Sequence, residues 1–275
     1  MHAMNMPVSM VDDVAEIFGR EGYYIARGLL SPGEIAEIRN AFMDENRNGP
    51  VQGLSEILKD PNPADPLAFY PRMMNPHCHK DKDVGRLAGK YLLDRRIENM
   101  LRQCMGEQPV AVQTMFYFKP PGARGQTFHQ DNYYLRVKPK TCCAAWIAID
   151  DADAENGGMS VVPGTQNMEV ACPEQADTRT SFTSDYVKVP DGLSPVLCDL
   201  RAGDVLFFNG SLVHGSTPNT STSRYRRSLI NHYVPEGTSE MSHWYHDAMR
   251  TFDQAPRQIG VAEGGGPCGT ATARH

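Results

Sequence analysis

The 275-residue chain has no cysteine pair at CxxC spacing. Its seven cysteines, at 78, 104, 142, 143, 172, 198 and 268, are odd in number and scattered. That pattern argues against a disulfide framework and a structural zinc knot, and leaves most of them as reduced, small core residues. A long apolar run is missing too: the longest, "CCAAWIAI" at 142–149, is far too short to span a bilayer. A basic excess is missing as well. The formal net charge is −6, whereas a surface that binds nucleic-acid phosphates needs an excess of positive charge. Arg95-Arg96 and Arg226-Arg227 are too short to overturn that balance. The start of the chain lacks the charged-then-apolar layout of a signal segment, because acids arrive where the apolar stretch would be. A cytoplasmic protein without membrane or nucleic-acid partners is expected, and no internal repeat is visible.

What is present is an ordinary globular composition, 40% hydrophobic and 22% charged, over a length that one large domain can use. The first third reads as helical. A helix is predicted over 11–20, a short strand within 22–30, and a second helix after Ser31, where Pro32 and Glu34 complete a capping signature. Ile35, Ile38, Phe42 and Met43 follow at helical spacing, and Gly49 closes the segment. Leu87, Tyr91, Leu92, Ile97 and Leu101 predict one further helix across 84–104, ending at Gly106. Beyond Gly106 the texture turns to short β-branched and aromatic runs separated by Gly, Pro, Asn and Asp: "VAVQTMFYFKP", "FHQDNYYLRV", "CCAAWIAID", "SVVPG", "DVLFFNG" and "RRSLINHYV". The expected fold is mainly β with N-terminal helices, a jelly roll or barrel of antiparallel strands. It forms a single domain over 1–260, with a helical front at about 10–105, a β core at about 108–235 and a flexible tail at 261–275. The long polar stretches 50–82 and 170–195 are expected to border the mouth of a pocket.

Within "TFHQDNYYLRV", read as a strand, His129 and Asp131 stand two positions apart and so share a face. An imidazole and a carboxylate aimed at one point suit a metal ion, a catalytic pair or a buried hydrogen bond. The best third group is His214, beside Gly215 after an apolar strand. Two histidines and one carboxylate form the facial triad of non-haem Fe(II) oxygenases, which leaves coordination positions open for a co-substrate and O₂. A chelating 2-oxo acid also needs a cation for its far carboxylate, and "RYRRSLINHYV" supplies arginines just after His214. Arg226, Ser228, Ile230 and His232 share one face there, while Arg227, Leu229 and Asn231 share the other. The "HCH" at 77–79 has the look of a metal pair but lies in a Pro-rich loop, where a solvated loop or lid is expected. Glu155, Asn156, Gly157 and Gly158 read as a structural turn.

The stretches "FGREGYYIARGLLSPGEIAEI", "FYFKPPGARGQTFHQD", "WIAIDDADAENGGMSVVPGTQ", "AGDVLFFNGSLVHGSTPN" and "RRSLINHY" together resemble the phytanoyl-CoA dioxygenase family of Fe(II)/2-oxoglutarate-dependent oxygenases. They occur in that family's order and cover most of 15–235. The resemblance implies a double-stranded β-helix (jelly roll, cupin-like) core flanked by helices. It implies that His129, Asp131 and His214 bind iron, and that Arg226 holds the tail of 2-oxoglutarate, with Arg227 and Arg224 as the positions one slip of register would select. Trp146 and Lys119 match positions that line the co-substrate pocket. Gln113, Met115, Tyr117 and Lys119 alternate on one strand face, so Gln113 joins the co-substrate candidates. Tyr133, Tyr134 and Tyr117 are the candidate substrate contacts, with only one of the first two able to face inward on a strand.

The implied activity is hydroxylation of an unactivated C–H bond with release of succinate and CO₂. Halogenation is disfavoured because Asp131 is present. A metal-dependent cupin-like enzyme without 2-oxoglutarate, and a non-catalytic metal-binding jelly roll, are the alternatives. The family acts on acyl-CoA thioesters, ectoine-like osmolytes, aminophosphonates and natural-product intermediates, and a short helical front favours a small free metabolite as the partner.

Overall fold

A computed structural model describes residues 14–57 and 63–263. Its first elements follow the local rules. The helix Val14–Glu21 buries Val14 and Phe18 and is followed by the strand Tyr23–Ala26. The helix Pro32–Glu45 starts at Ser31, whose side chain accepts from the Glu34 amide while Glu34 reaches back to the Ser31 amide. Ile35, Ile38 and Phe42 are its buried face.

The helix predicted across 84–104 is two helices, Asp83–Leu92 and Arg95–Met105. Asp94 between them has extended backbone angles, and its carboxylate accepts from the Arg96 amide. An aspartate with an amide to cap is worth more at a helix start than inside one. Gly106 then closes the second helix in the left-handed conformation.

Two antiparallel sheets form the β core. The larger has seven strands, ordered Tyr23–Ala26, Val205–Asn209, Cys143–Ala148, Ser228–Pro235, Pro109–Tyr117 and Arg250–Thr251, with Met73–Met74 also pairing onto Pro109–Tyr117. The smaller runs Gln126–His129, His214–Ser216, Met159–Val161, Val196–Leu197. This is the expected jelly roll. Every residue of Pro109–Tyr117 and Cys143–Ala148 is buried, because the large sheet is covered on both faces.

Alternation decides what each face meets. Phe116, Ala145, Ile147, Phe207 and Leu229 pack against Ile35, Ile38, Phe42, Tyr91 and Leu101 of the helices. Phe116 stacks on Phe42 with ring centroids 3.9 Å apart. On the other face Met115, Tyr117, Trp146, Leu206, Phe208 and Ile230 meet Met159 and Val161 of the small sheet. Burying each such side chain contributes about 1.5–3 kcal/mol, so the helices lock the large sheet and leave its inner face to shape a cavity.

The strand read from "FHQDNYYLRV" stops at His129. Asp131 has helical angles (φ −61, ψ −34), and Asn132–Leu135 is one helical turn. The Asn132 carboxamide takes both the amide and the carbonyl of Val137, the side-chain competition by which Asn breaks a ladder. His77 is likewise no lid residue. It is buried, with Nδ1 at 2.7 Å from Thr114 Oγ1 and Nε2 at 2.8 Å from the Ala248 carbonyl.

Five cysteines, 78, 104, 142, 143 and 198, are free, whereas Cys172 is disulfide-bonded, so one bond is present where the sequence predicts no disulfide framework. Val261, placed by the sequence at the start of a flexible tail, continues from Gly260 a short strand that pairs in parallel with Glu240–Met241. The rest of that tail from 264, and the unlike-a-signal stretch 1–13, lie outside the described residues. Among the described residues no helix is long and apolar enough to cross a membrane.

Candidate metal centre

His129 ends one strand of the small sheet and His214 begins the next, in direct antiparallel register. Their rings stand 4.2 Å apart between centroids. Asp131 joins them from the helical turn, not from strand alternation. One ligand atom from each of the three residues lies within 4.8 Å of the others, and all three residues are buried.

The imidazole tautomers follow from their partners. His129 Nδ1 is 2.8 Å from the Thr127 carbonyl and His214 Nδ1 is 2.9 Å from the Leu212 carbonyl. A carbonyl only accepts, so each Nδ1 carries the proton and each Nε2 presents its lone pair to the interior. Asp131 Oδ1 lies 3.5 Å from both Nε2 atoms. Burial, and then the neighbouring His214, hold His129 below the ordinary imidazole value. Burial alone would raise Asp131, but the neighbouring His214 and His232 together hold its carboxyl well below the usual range. The site therefore offers two neutral nitrogens and one anionic oxygen, the donor chemistry that a borderline divalent ion takes.

A small cavity of about 30 Å³ opens beside these atoms, walled by Met115, Tyr117, Trp146, Met159, Phe208 and Ile230. Arg226, just before the strand that begins at Ser228, also lines it. Its Nε donates to the Gly157 carbonyl (3.1 Å), its Nη1 to Ser228 Oγ (3.3 Å), and its guanidinium lies 5.4 Å from the Trp146 ring centroid. Burial lowers its pKa to about 10. Among the described residues no carboxylate lies within ion-pair distance of it, whereas Arg227 makes a two-bond pair with Asp150 at 2.8 Å and Arg224 pairs with Asp153 and Glu155.

The other sequence candidates separate. Trp146 and Tyr117 line the cavity. Lys119 instead donates to the carbonyls of Gly157 and Thr217 and to Ser216 Oγ, with burial and then Arg226 pushing its pKa well down. Gln113 is buried in the sheet directly opposite His232 and does not reach the cavity. Tyr133 and Tyr134 are both buried with Leu135, Val137 and Tyr245 and do not line the cavity, although Tyr134 sets its ring edge-on to His129 with centroids 6.3 Å apart and donates to Asp185. The expected turn at 155–158 is present. Asn156 bonds Asp153, Asp151 and Tyr225, and Gly157 has φ +73, where a Cβ would come within 2.5 Å of the Thr217 carbonyl.

Two neighbours went unmarked as site residues in the sequence. Gln126 Nε2 is 3.1 Å from His129 Nε2, and His232 Nε2 is 2.9 Å from Asp131 Oδ2. The signal for His232 was available, since it shares the inward face with Arg226 and Ile230. A second chamber adjoins the first and shares Tyr117 and Arg226 with it. Its walls include Glu56, Tyr70 and Arg72 from one long loop and Phe182 from the other, so both stretches border this second chamber, whereas neither lines the metal cavity itself. Arg72 fastens them: it takes Glu56 with two bonds, donates to the Tyr117 hydroxyl at 2.7 Å, and stands 5.6 Å from the Phe182 ring centroid.

Comparison with known proteins adds to this geometry. The profile of the phytanoyl-CoA dioxygenase family matches residues 18–228. The chain is 25% identical over 258 residues to phytanoyl-CoA dioxygenase of Arabidopsis thaliana, covering 82% of this chain and 90% of that one. It is 27% identical over 282 residues to ectoine dioxygenase of Stutzerimonas stutzeri, covering 94% and 85%. Among solved structures it is similar to the epimerase SnoN of nogalamycin biosynthesis, in complex with Fe3+, alpha ketoglutarate and nogalamycin RO (TM-score 0.63, 22% identity, 82% of this chain and 84% of that one). The alpha-ketoglutarate-dependent carbocyclase SnoK of the same biosynthesis is also similar (TM-score 0.65, 20% identity, 84% and 86%). At these identities the structural likeness speaks for the fold.

Proposed function

The chain belongs to the phytanoyl-CoA dioxygenase family, and on that premise we propose that it is a non-haem Fe(II)/2-oxoglutarate-dependent oxygenase that hydroxylates an unactivated C–H bond of a small metabolite. The balance is one C–H, one 2-oxoglutarate and one O₂ in, and one C–OH, succinate and CO₂ out. The observation that carries the reading is a buried two-histidine, one-carboxylate cluster sharing a cavity with a buried guanidinium that lacks a carboxylate.

The donor set fits Fe(II), with His129 Nε2, His214 Nε2 and Asp131 Oδ1 as its ligands. Bound there, iron supplies the redox chemistry that couples decarboxylation of the 2-oxo acid to oxidation of the C–H bond. The protein's own residues do the rest. Arg226 grips the far carboxylate of 2-oxoglutarate through two parallel hydrogen bonds, and Ser228 and the Gly157 carbonyl orient the guanidinium for that task. Trp146, Met115, Ile230 and Phe208 keep the cavity apolar, which strengthens the Arg226 contact and excludes bulk water. The chamber between Glu56, Tyr70, Arg72 and Phe182 is the approach for the metabolite. A cupin-like enzyme working without 2-oxoglutarate has no use for Arg226, so that cation weighs for the oxygenase.

The test is succinate release and product mass over a metabolite panel with anaerobically loaded Fe(II), in wild type and Asp131→Ala. Succinate formation that needs iron and 2-oxoglutarate, a product heavier by one oxygen, and loss of both in Asp131→Ala with the fold retained are expected. No 2-oxoglutarate binding to the iron-loaded protein would overturn the reading. A product without added oxygen would replace hydroxylation by epimerisation, desaturation or ring chemistry.

A further inference from the structure

Asp131 is held from two sides. Its Oδ1 faces the two ligand nitrogens at 3.5 Å each, and its Oδ2 lies 2.9 Å from His232 Nε2. A carboxylate oxygen only accepts, so His232 donates there. The side chains of His232 and Asp131 are 1% and 2% exposed, which leaves no bulk water to replace that bond. The two residues come from different sheets' territory: His232 is the fifth residue of Ser228–Pro235 in the large sheet, whereas Asp131 follows the edge of the small one.

We infer that His232 is a positioning residue that fixes Asp131 as a one-oxygen ligand and thereby keeps a coordination position open at the metal. This rests on the proposed iron site. Two imidazoles and one carboxylate oxygen occupy three of the six positions of an octahedral ion, leaving two for a chelating 2-oxo acid and one for O₂. A carboxylate free to turn can offer both oxygens and close one of them. With Oδ2 committed to His232, only Oδ1 is available, and its direction is set by a ring that the sheet holds rigidly. A partner of this kind also raises the affinity of the ligand it orients, since the carboxylate need not be ordered when the metal arrives.

Co(II), which resists oxidation, is titrated into the metal-free protein at one fixed pH, for wild type, His232→Gln, His232→Asn and His232→Phe, with metal-free melting measured alongside. Glutamine reaches with its amide to where Nε2 stands. Asparagine keeps a polar group but falls short, and phenylalanine keeps the volume without a donor. His232→Gln is expected to bind Co(II) within about threefold of wild type, and His232→Asn and His232→Phe about 10–100-fold more weakly. A merely structural histidine would move the melting temperature and not this ordering. Equal affinity in all four proteins, or a loss in His232→Gln as large as in His232→Phe, overturns the inference. If His232→Phe does not fold, the contrast between Gln and Asn decides. Absence of Co(II) binding in wild type would instead remove the metal site itself.

Discussion

A guanidinium buried without a carboxylate is costly, and Arg226 is in that state while its neighbour Arg227 is neutralised by Asp150. The chain reverses face at each step here, so adjacent arginines meet different surroundings: one a cavity, the other a fixed acid. Replacing Arg226 by Lys keeps the charge but loses the planar fork. The 2-oxoglutarate concentration for half-maximal turnover should then rise about ten-fold or more, at about 1.4 kcal/mol per decade, with iron binding unchanged. Arg227→Lys should leave that concentration alone and lower stability by about 1–2 kcal/mol through the weakened Asp150 pair. Titrating 2-oxoglutarate against both variants in parallel separates the two. An effect of Arg227→Lys alone would assign the co-substrate to the wrong arginine.

Among the elements, the helix starts are joined by charge. Arg96, two residues into its helix after the Asp94 cap, donates to Asp94 at 2.7 Å and to Glu34 at 2.6 Å, and Glu34 is the capping-box acid of Pro32–Glu45. The Arg96 hydrogen bond, with the Ser31 amide, lowers the Glu34 pKa to about 2. A carboxyl whose folded pKa is depressed contributes stability above its unfolded value near 4.5 and loses that contribution as pH falls toward about 2. Urea midpoints should therefore drop between neutral pH and pH 3 by more in wild type than in Glu34→Gln. Equal drops would show that the network carries no linkage. The apolar spacing does not mark the break between the two helices, because Leu93 and Ile97 stand four apart as in one helix; Asp94, a residue suited to capping, is its mark in the sequence.

Across the whole molecule the candidate metal lies where two sheets meet: His129 and His214 come from the small sheet, Arg226 and His232 from beside and within the large one. A ligand bound there joins the layers and stabilises only the folded state. Saturation with Fe(II) at about a hundred times its dissociation constant should add about 2.7 kcal/mol, which is roughly 5–10 °C in melting temperature for a chain of this size. Chelation should reverse it. A melting temperature indifferent to both would place the metal elsewhere or nowhere.

Composition, capping residues and β-branched runs determined by themselves the helical front, an antiparallel β core and the three candidate ligand positions, because those signals act over a few residues and His129, Asp131 and His214 are marked by their own motifs. His129 and Asp131 converge because Asp131 starts a helical turn, and strand alternation plays no part. Only the tertiary structure decided that Arg226 and not Arg227 faces the cavity without a carboxylate, that Lys119 is tied to carbonyls, that Tyr133 and Tyr134 stay out of the cavity's lining, and that His232 reaches Asp131 from 101 residues along the chain. Each of these depends on which acceptor a distant strand brings within about 3 Å, and spacing along one segment carries no information about the partner that another segment supplies.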